Sequence, residues 1–215
     1  MNLKNLILDL FFPISCLGCG QENKNKEYLC QNCFKKLKFC GRNYDLNLKF
    51  IDEVAIAGDY EDKIITALIK TLKFNSIPEA GHILAKFLCL FWQGRTILAP
   101  QDFLVIPIPL SKKRERQRGF NQAEIIARDL AEYFNYELSL DLKKIKNTKP
   151  QSELSEKNRS DNIKNVFVWN GENLNEKNII LIDDVITTGA TIGEAAKILK
   201  LAGAKYIIAL AIAKG

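Results

Sequence analysis

Histidine is nearly absent: one residue, His82, stands in 215. A Ser–His–Asp triad has only that residue to draw on, and no nucleophile stands near it. His82 falls close to an expected helix start and reads as a surface or capping residue. Long apolar runs are absent too. No stretch approaches 18 apolar residues without a charge, so no membrane span is expected. The apolar run Leu3–Phe12 contains Asp9 and lacks a small-x-small cleavage site, which argues against a secretion signal. Its apolar positions Leu3, Leu6, Ile7, Leu10 and Phe11 share one helical face. The run reads as a short amphipathic helix that packs on the core, with contact to a membrane surface as the second reading. A cytoplasmic protein is expected. There is no internal repeat and no low-complexity tract. A large charge excess is also missing: 31 Lys and Arg against 25 Asp and Glu give +6. That balance permits a polyanionic partner without demanding one.

What is present is an ordinary globular composition. Apolar residues make up 47% and charged residues 26%, too apolar for long disorder. The length suits one domain with an appendage, or two small domains. A chain of this size buries about 70% of its unfolded surface and needs no staples to fold. The first 48 residues form one unit, cysteine-rich and without a long periodic segment; residues 49–215 form the second.

In the second unit, strands alternate with helices. Val54–Asp59, Phe103–Pro107, Val166–Trp169, Asn178–Ile182 and Tyr206–Ala213 read as strands. Glu61–Phe74, Glu79–Trp92 (with Pro78 at its start), Asn121–Tyr136 and Ala190–Ala202 read as helices, the last closed by Gly203. Ile145–Asn165 is polar, contains Pro150 and shows no period, as expected of a long mobile loop. Apolar strands alternating with helices predict an α/β fold with a mostly parallel sheet. Ligands of such sheets sit at the carboxyl ends of the strands.

Five of six cysteines fall in the first forty residues. Cys16-x2-Cys19 and Cys30-x2-Cys33 are two knuckles, the usual way to set four thiolates around one zinc. Gly18 and Gly20 allow the tight turn. A redox pair is the competing reading, without the βαβ context that it needs. Four thiolates leave no open position, so the zinc is expected to be structural. Cys40 is spare, as a substitute ligand or a buried thiol; Cys89 lies on an apolar helix face and reads as core. Lys24, Lys26, Lys35, Lys36 and Lys38 surround the cluster. They read as a solvated surface, with nucleic-acid contact as the alternative.

The sharpest feature is Ile179-Ile-Leu-Ile-Asp183-Asp184-Val-Ile-Thr187-Thr188-Gly189-Ala-Thr191. A buried strand delivers two carboxylates at its carboxyl end, a loop of hydroxyls with one glycine follows, and a helix begins. Free N–H groups at a helix start bind anions, so the loop is expected to hold a phosphate. The carboxylates then sit where sugar hydroxyls or metal-bound waters would be.

This segment resembles the phosphoribosyl pyrophosphate (PRPP) signature of type I phosphoribosyltransferases. Nearly the whole chain resembles the ComF competence family, in which a four-cysteine zinc module is joined to a phosphoribosyltransferase-like domain. The resemblance takes in the two CxxC pairs, Leu72-Lys73-Phe74, Ile106-Pro-Ile-Pro109, Arg118-Gly-Phe-Asn-Gln122, and Gln151, Arg159, Asn162 and Phe167. It departs at Ser76 and Asn165, where the family often has glycine. It implies that Asp183 and Asp184 contact the ribose hydroxyls, directly or through Mg²⁺ and water. It implies that Thr187, Thr188, Gly189, Ala190 and Thr191 wrap the 5′-phosphate. Ile106–Leu110, with Pro107 and Ile108, resembles the pyrophosphate loop, where either X-Pro bond can be cis at modest cost. Arg114, Arg116 and Arg118 lie close enough in sequence to neutralise a diphosphate, the alternative being an exposed basic loop. Lys73 points to the same site. Gln151 and Arg159 would be contacts from a mobile lid.

Phosphoribosyl transfer develops an oxocarbenium-like centre as pyrophosphate leaves, so the leaving group must be neutralised and water excluded. The basic run, the carboxylates and the long loop supply those parts. Nothing in the zinc module reads as a nucleobase pocket. Three functions follow: a PRPP-binding homologue acting in natural transformation (DNA uptake), a nucleotide-salvage phosphoribosyltransferase, and a non-catalytic zinc-dependent adaptor for single-stranded nucleic acid or protein. Single-stranded DNA and proteins of the uptake machinery are the further partners implied.

Overall fold

The computed structural model describes residues 14–23, 27–40, 46, 48–95, 102–146 and 165–215. The expected helix over Leu3–Phe12, Lys24, Lys26, and the lid residues Gln151 and Arg159 lie outside the described residues.

The described elements are, in chain order, α1 (Gln31–Phe34), β1 (Glu53–Asp59), α2 (Lys63–Phe74), α3 (Pro78–Gln93), β2 (Phe103–Pro107), α4 (Lys112–Arg118), α5 (Gln122–Phe134), β3 (Glu137–Leu138), β4 (Leu142–Lys144), β5 (Phe167–Trp169), β6 (Asn178–Ile186), α6 (Ala190–Leu201) and β7 (Tyr206–Lys214). β1, β7, β6, β2 and β3 form one parallel sheet in that order, and β4 pairs antiparallel with β5. Successive strand side chains point to opposite faces, so the apolar central stretches of the strands feed two cores. Ile180, Ile182, Ile208, Leu210 and Ile212 pack with α2, α3 and α5 on one face. Ile179, Leu181, Ile207, Ala209 and Ala211 pack with α6 and the β4–β5 hairpin on the other.

The expected helix ends are set by local chemistry. The Asp62 carboxylate accepts hydrogen bonds from the N–H groups of Ile64 and Ile65, which starts α2 two residues later than the apolar pattern suggests. Pro78 occupies the first turn of α3. Asn121 caps α5, which stops at Phe134 because Asn135 turns left-handed.

Three features depart from the sequence expectation. The basic run Lys112–Arg118 is a helix rather than a loop: the Ser111 hydroxyl accepts from the Arg114 N–H, and Gly119 ends the helix at φ +81°. β6 continues past Ile182 to Ile186, since it pairs with β7 as far as Lys214. The short β3 and β4 were not legible, having too few residues for a period to show. Ser76 and Asn165, the two departures from family glycine, have φ of 55° and 53°. The backbone there keeps the left-handed shape that glycine favours, so the loop geometry survives the substitution.

The cysteine module packs directly on the first core. Cys16, Leu29 and Cys33 are buried within it, and the Phe39 ring lies 5.1 Å from Phe87 and 5.7 Å from Phe91, centroid to centroid. The Cys40 N–H donates to the Ala57 carbonyl at 2.7 Å, tying the module to β1.

Candidate functional site

The Sγ atoms of Cys16, Cys19, Cys30 and Cys33 all lie within 4.8 Å of one another. Thiolates about 2.3 Å from a tetrahedral zinc stand about 3.8 Å apart, so the cluster is near the spacing that the ion imposes. The N–H groups of Gly18 and Cys30 donate to the Cys16 sulfur at 3.4 and 3.3 Å. Burial alone would raise the Cys16 thiol, but hydrogen bonds from the Cys30, Cys19 and Gly18 backbone outweigh it and bring the group down to about 6. Burial, with the neighbouring sulfurs adding to it, pushes Cys33 up to about 12. Gly18 is required by space: a Cβ there would stand 2.7 Å from both Cβ and Sγ of Cys33. The donor set fits zinc, with four soft ligands and no open position, which makes the site structural. Cys40 is outside the cluster, and Cys89 is buried in α3.

The second site lies at the carboxyl ends of the strands, in a cavity of about 470 Å³. Asp183, Asp184, Thr187 and Thr191 of the acidic-threonine segment line it, with Ile108, Lys73 and Arg118. Because β6 runs through both carboxylates, they point to opposite faces of the sheet end. Asp184, 10% exposed, accepts from Lys73 of α2 at 2.9 Å. Asp183 accepts from the Asp184 N–H at 2.8 Å and feels Lys144 of β4. Gly189 sits in the left-handed region at φ +78°, with α6 beginning directly after it. A Cβ on it would meet Leu48 Cδ1 at 2.7 Å. The Thr188 hydroxyl is exposed and accepts from the Ala190 N–H at 3.4 Å.

The other expected residues divide. Arg114 and Arg118, four apart on α4, face the cavity; Arg116, on another side of that helix, does not line it. Pro107 lines a neighbouring cavity of about 630 Å³ instead, together with Lys112, Lys143 and Leu142. The two cavities share Pro109, Leu110, Asn121 and Lys144. Both X-Pro bonds of Ile106–Pro109 are trans. His82 caps nothing; its ring Nδ1 lies 2.7 Å from Asp129 Oδ2 at the surface.

The sequence reading missed Tyr60 and Lys144, and noted Asn121 and Gln122 only as part of the Arg118–Gln122 motif without a role; all four line the cavity. The Asn121 amide donates to the Ile108 carbonyl at 3.0 Å while its oxygen caps α5. Gln122, almost wholly buried, accepts from Arg118 at 2.8 Å. The run Arg118–Gln122 is thus a clip: it ends one helix, starts the next, holds the 106–110 segment and aims an arginine. Lys144 could not be found from sequence, because β4 reaches the site only through its pairing with β5.

Opposed charges are unevenly matched here. Burial, then the neighbouring Asp184, pushes the Asp183 carboxyl up to about 7, although Lys73 and Lys144 act against the rise. Burial, then repulsion by Arg114, holds Lys144 down to about 8. A carboxyl whose folded value lies above its unfolded one favours folding only while protonated. Its contribution is intact below about pH 4 and lost as pH rises through 7. Asp183→Asn is therefore expected to stabilise the ligand-free protein by about 2 kcal/mol at pH 8 and by much less at pH 4.5. Urea unfolding at both pH values is the check; an equal gain at the two would refute ionisation as the cause. Gly189→Ala is expected to cost about 3 kcal/mol, from the left-handed backbone and the Leu48 overlap together. An unchanged thermal midpoint would contradict that.

Comparison with known families agrees with this architecture. Residues 117–215 match the model of the phosphoribosyl transferase domain, and residues 7–44 match the double zinc ribbon domain. Competence protein F of Haemophilus influenzae is 32% identical over 201 residues, covering 89% of this chain and 86% of that protein. DNA utilization protein YhgH of Escherichia coli K12 is 27% identical over 199 residues, covering 89% and 86%. Competence protein ComFC of Bacillus subtilis is 38% identical over 101 residues, covering 46% and 39%. No helix among the described residues is long and apolar enough to cross a membrane.

Proposed function

Because this chain belongs to the competence protein F family, we propose that its strand-end cavity binds PRPP together with Mg²⁺, in a protein serving the uptake and use of DNA. The observation that carries the reading is the convergence in one cavity of three features. They are the start of α6 with Thr187 and Thr191, the two strand-end carboxylates, and the cations Lys73, Arg114, Arg118 and Lys144. Backbone N–H groups at the helix start suit a terminal phosphate. Four cations against two carboxylates suit a ligand with a diphosphate at its other end.

The residues fit magnesium as well. Asp183 is a partly buried carboxyl raised by its surroundings, a group that gains from an added hard cation with oxygen ligands. Asp183 and Asp184 would hold the ion or its waters against the ribose hydroxyls. When bound, the ion supplies charge neutralisation of the diphosphate. Thr187–Thr191 orient the phosphate end; Arg114, Arg118 and Lys144 draw charge toward the opposite end. Gln151 and Arg159 belong to the proposed lid. Single-stranded DNA and uptake proteins are proposed partners, with the exposed Lys35, Lys36 and Lys38 of the zinc module as a second anionic contact.

Calorimetric titration with PRPP, with and without Mg²⁺, tests the reading. Saturable, magnesium-dependent heat is expected. No binding by zinc-loaded, folded protein would leave the fold as a scaffold and favour the adaptor function.

A further inference from the structure

Two glycines stand four apart at the start of α6, Gly189 and Gly193. Positions four apart share one helix face, and here both meet the same side chain. A Cβ on Gly189 would stand 2.7 Å from Leu48 Cδ1 and 2.9 Å from Leu48 Cδ2; one on Gly193 would stand 3.8 Å from Leu48 Cδ2. The leucine therefore lies along the bare first turn of α6. The Gly193 N–H donates to the Gly189 carbonyl at 2.8 Å, the hydrogen bond that closes this turn.

Leu48 comes from the stretch that joins the zinc module to β1, and it does not line the strand-end cavity. It touches the turn from behind. Its own position is fixed by its neighbours. The Ile51 N–H donates to the Leu48 carbonyl at 2.9 Å, and the Asp52 N–H donates to the Ile207 carbonyl at 2.9 Å. The Asp52 carboxylate accepts from the Ile207 N–H and from the Lys200 ammonium, each at 2.7 Å. Leu46, Phe50 and Ile51 pack with Leu48 on the second core. Residues 48–52 thus form a strap. It is fastened at the last turn of α6 and the first residues of β7, and it presses one side chain on the first turn of α6.

Such a contact matters for an anion site made of backbone. Fixing one residue's backbone costs about 1–2 kcal/mol in entropy. A ligand that must order the turn as it binds loses apparent affinity by the fraction of molecules already in the competent shape. We propose that Leu48 is a positioning residue for this turn: it holds Gly189 left-handed and the first N–H groups of α6 in place before a ligand arrives. For its ligand, the proposal rests on the PRPP reading. It gives the stretch between the zinc module and the sheet a part in binding, although none of its described residues lines the cavity.

The test uses the full, zinc-loaded chain. Leu48→Ala removes the contact and Leu48→Met keeps its volume. Phe50→Ala removes another apolar side chain of the same strap. Amide hydrogen exchange at Gly193 is read without ligand, PRPP affinity by calorimetry with Mg²⁺, and the thermal midpoint beside them. Leu48→Ala is expected to speed exchange and weaken PRPP binding, each about tenfold. Leu48→Met is expected to stay within about threefold of the parent in both. Phe50→Ala is expected to lower the midpoint yet leave exchange and affinity within about threefold, which separates positioning from general loss of stability. If Leu48→Ala leaves exchange or PRPP affinity at the parent's level, or if Phe50→Ala matches it in both, the proposal is overturned. If the parent itself does not bind PRPP, the PRPP reading falls, and exchange alone decides whether Leu48 holds the turn.

Discussion

Asp183→Asn/Asp184→Asn is expected to bind PRPP at least about 100-fold more weakly than the parent in Mg²⁺, the loss of two charge-assisted contacts at roughly 1.5–3 kcal/mol each. The direction of the change is the informative part. PRPP is an anion, and the cavity holds four cations with two carboxylates. If the site were only a cationic hollow, removing two negative charges would strengthen binding. If the carboxylates hold ribose hydroxyls or a cation, the same change weakens it. Lys73 sharpens the contrast, because Asp184 ties it at 2.9 Å and the double variant releases it. Tighter PRPP binding by the double variant would therefore exclude the assigned role of the carboxylates. Asp183→Asn alone is expected to stabilise the ligand-free fold above pH 7, whereas Asp184→Asn breaks the pair with Lys73, so the thermal midpoint of the double variant, measured beside the titration, separates weakened binding from unfolding.

Removal of zinc is expected to lower the thermal midpoint by about 10 °C or more, since a midpoint falls about 2–4 °C per kcal/mol at this size and structural zinc contributes several kcal/mol. The reason is where the ligands sit. Cys16 and Cys33 belong to the core shared with α2 and α3. Without the metal, that core would hold the thiol of Cys33, pushed up by burial, against the depressed one of Cys16. Cys33→Ser is expected to act as chelation does and to abolish the zinc content, read by elemental analysis at one ion per chain in the parent. Of the described residues 14–40, none walls the strand-end cavity, so the remaining domain should still bind PRPP at low temperature if the proposed reading holds. A midpoint unmoved by chelation would refute a structural role for the ion.

How much was legible in the sequence follows from the range of the interactions involved. The zinc ligands were legible because two CxxC knuckles set sulfur geometry within a few residues. The strand–loop–helix turn at Asp183–Thr191 was legible because strand, carboxylates, hydroxyls, glycine and helix follow one another without a gap. The helix over Lys112–Arg118 was not, since no apolar stripe marks it. It depends on the Ser111 cap and on Gly119, and it decides that Arg114 and Arg118 face the cavity while Arg116 does not.

The sequence by itself determined the α/β class, the order of the long elements, the four metal ligands and the loop that opens α6. All of these rest on periodicity and short-range spacing. Only the tertiary structure decided which residues from distant segments share the cavity. Lys73 arrives on the helix after β1, Lys144 on a hairpin beside the sheet, and Tyr60 from the turn that follows the edge strand, 123 positions ahead of Asp183. The strand register also turns Asp183 and Asp184 to opposite faces. These are long-range juxtapositions set by sheet order, and no local pattern encodes them.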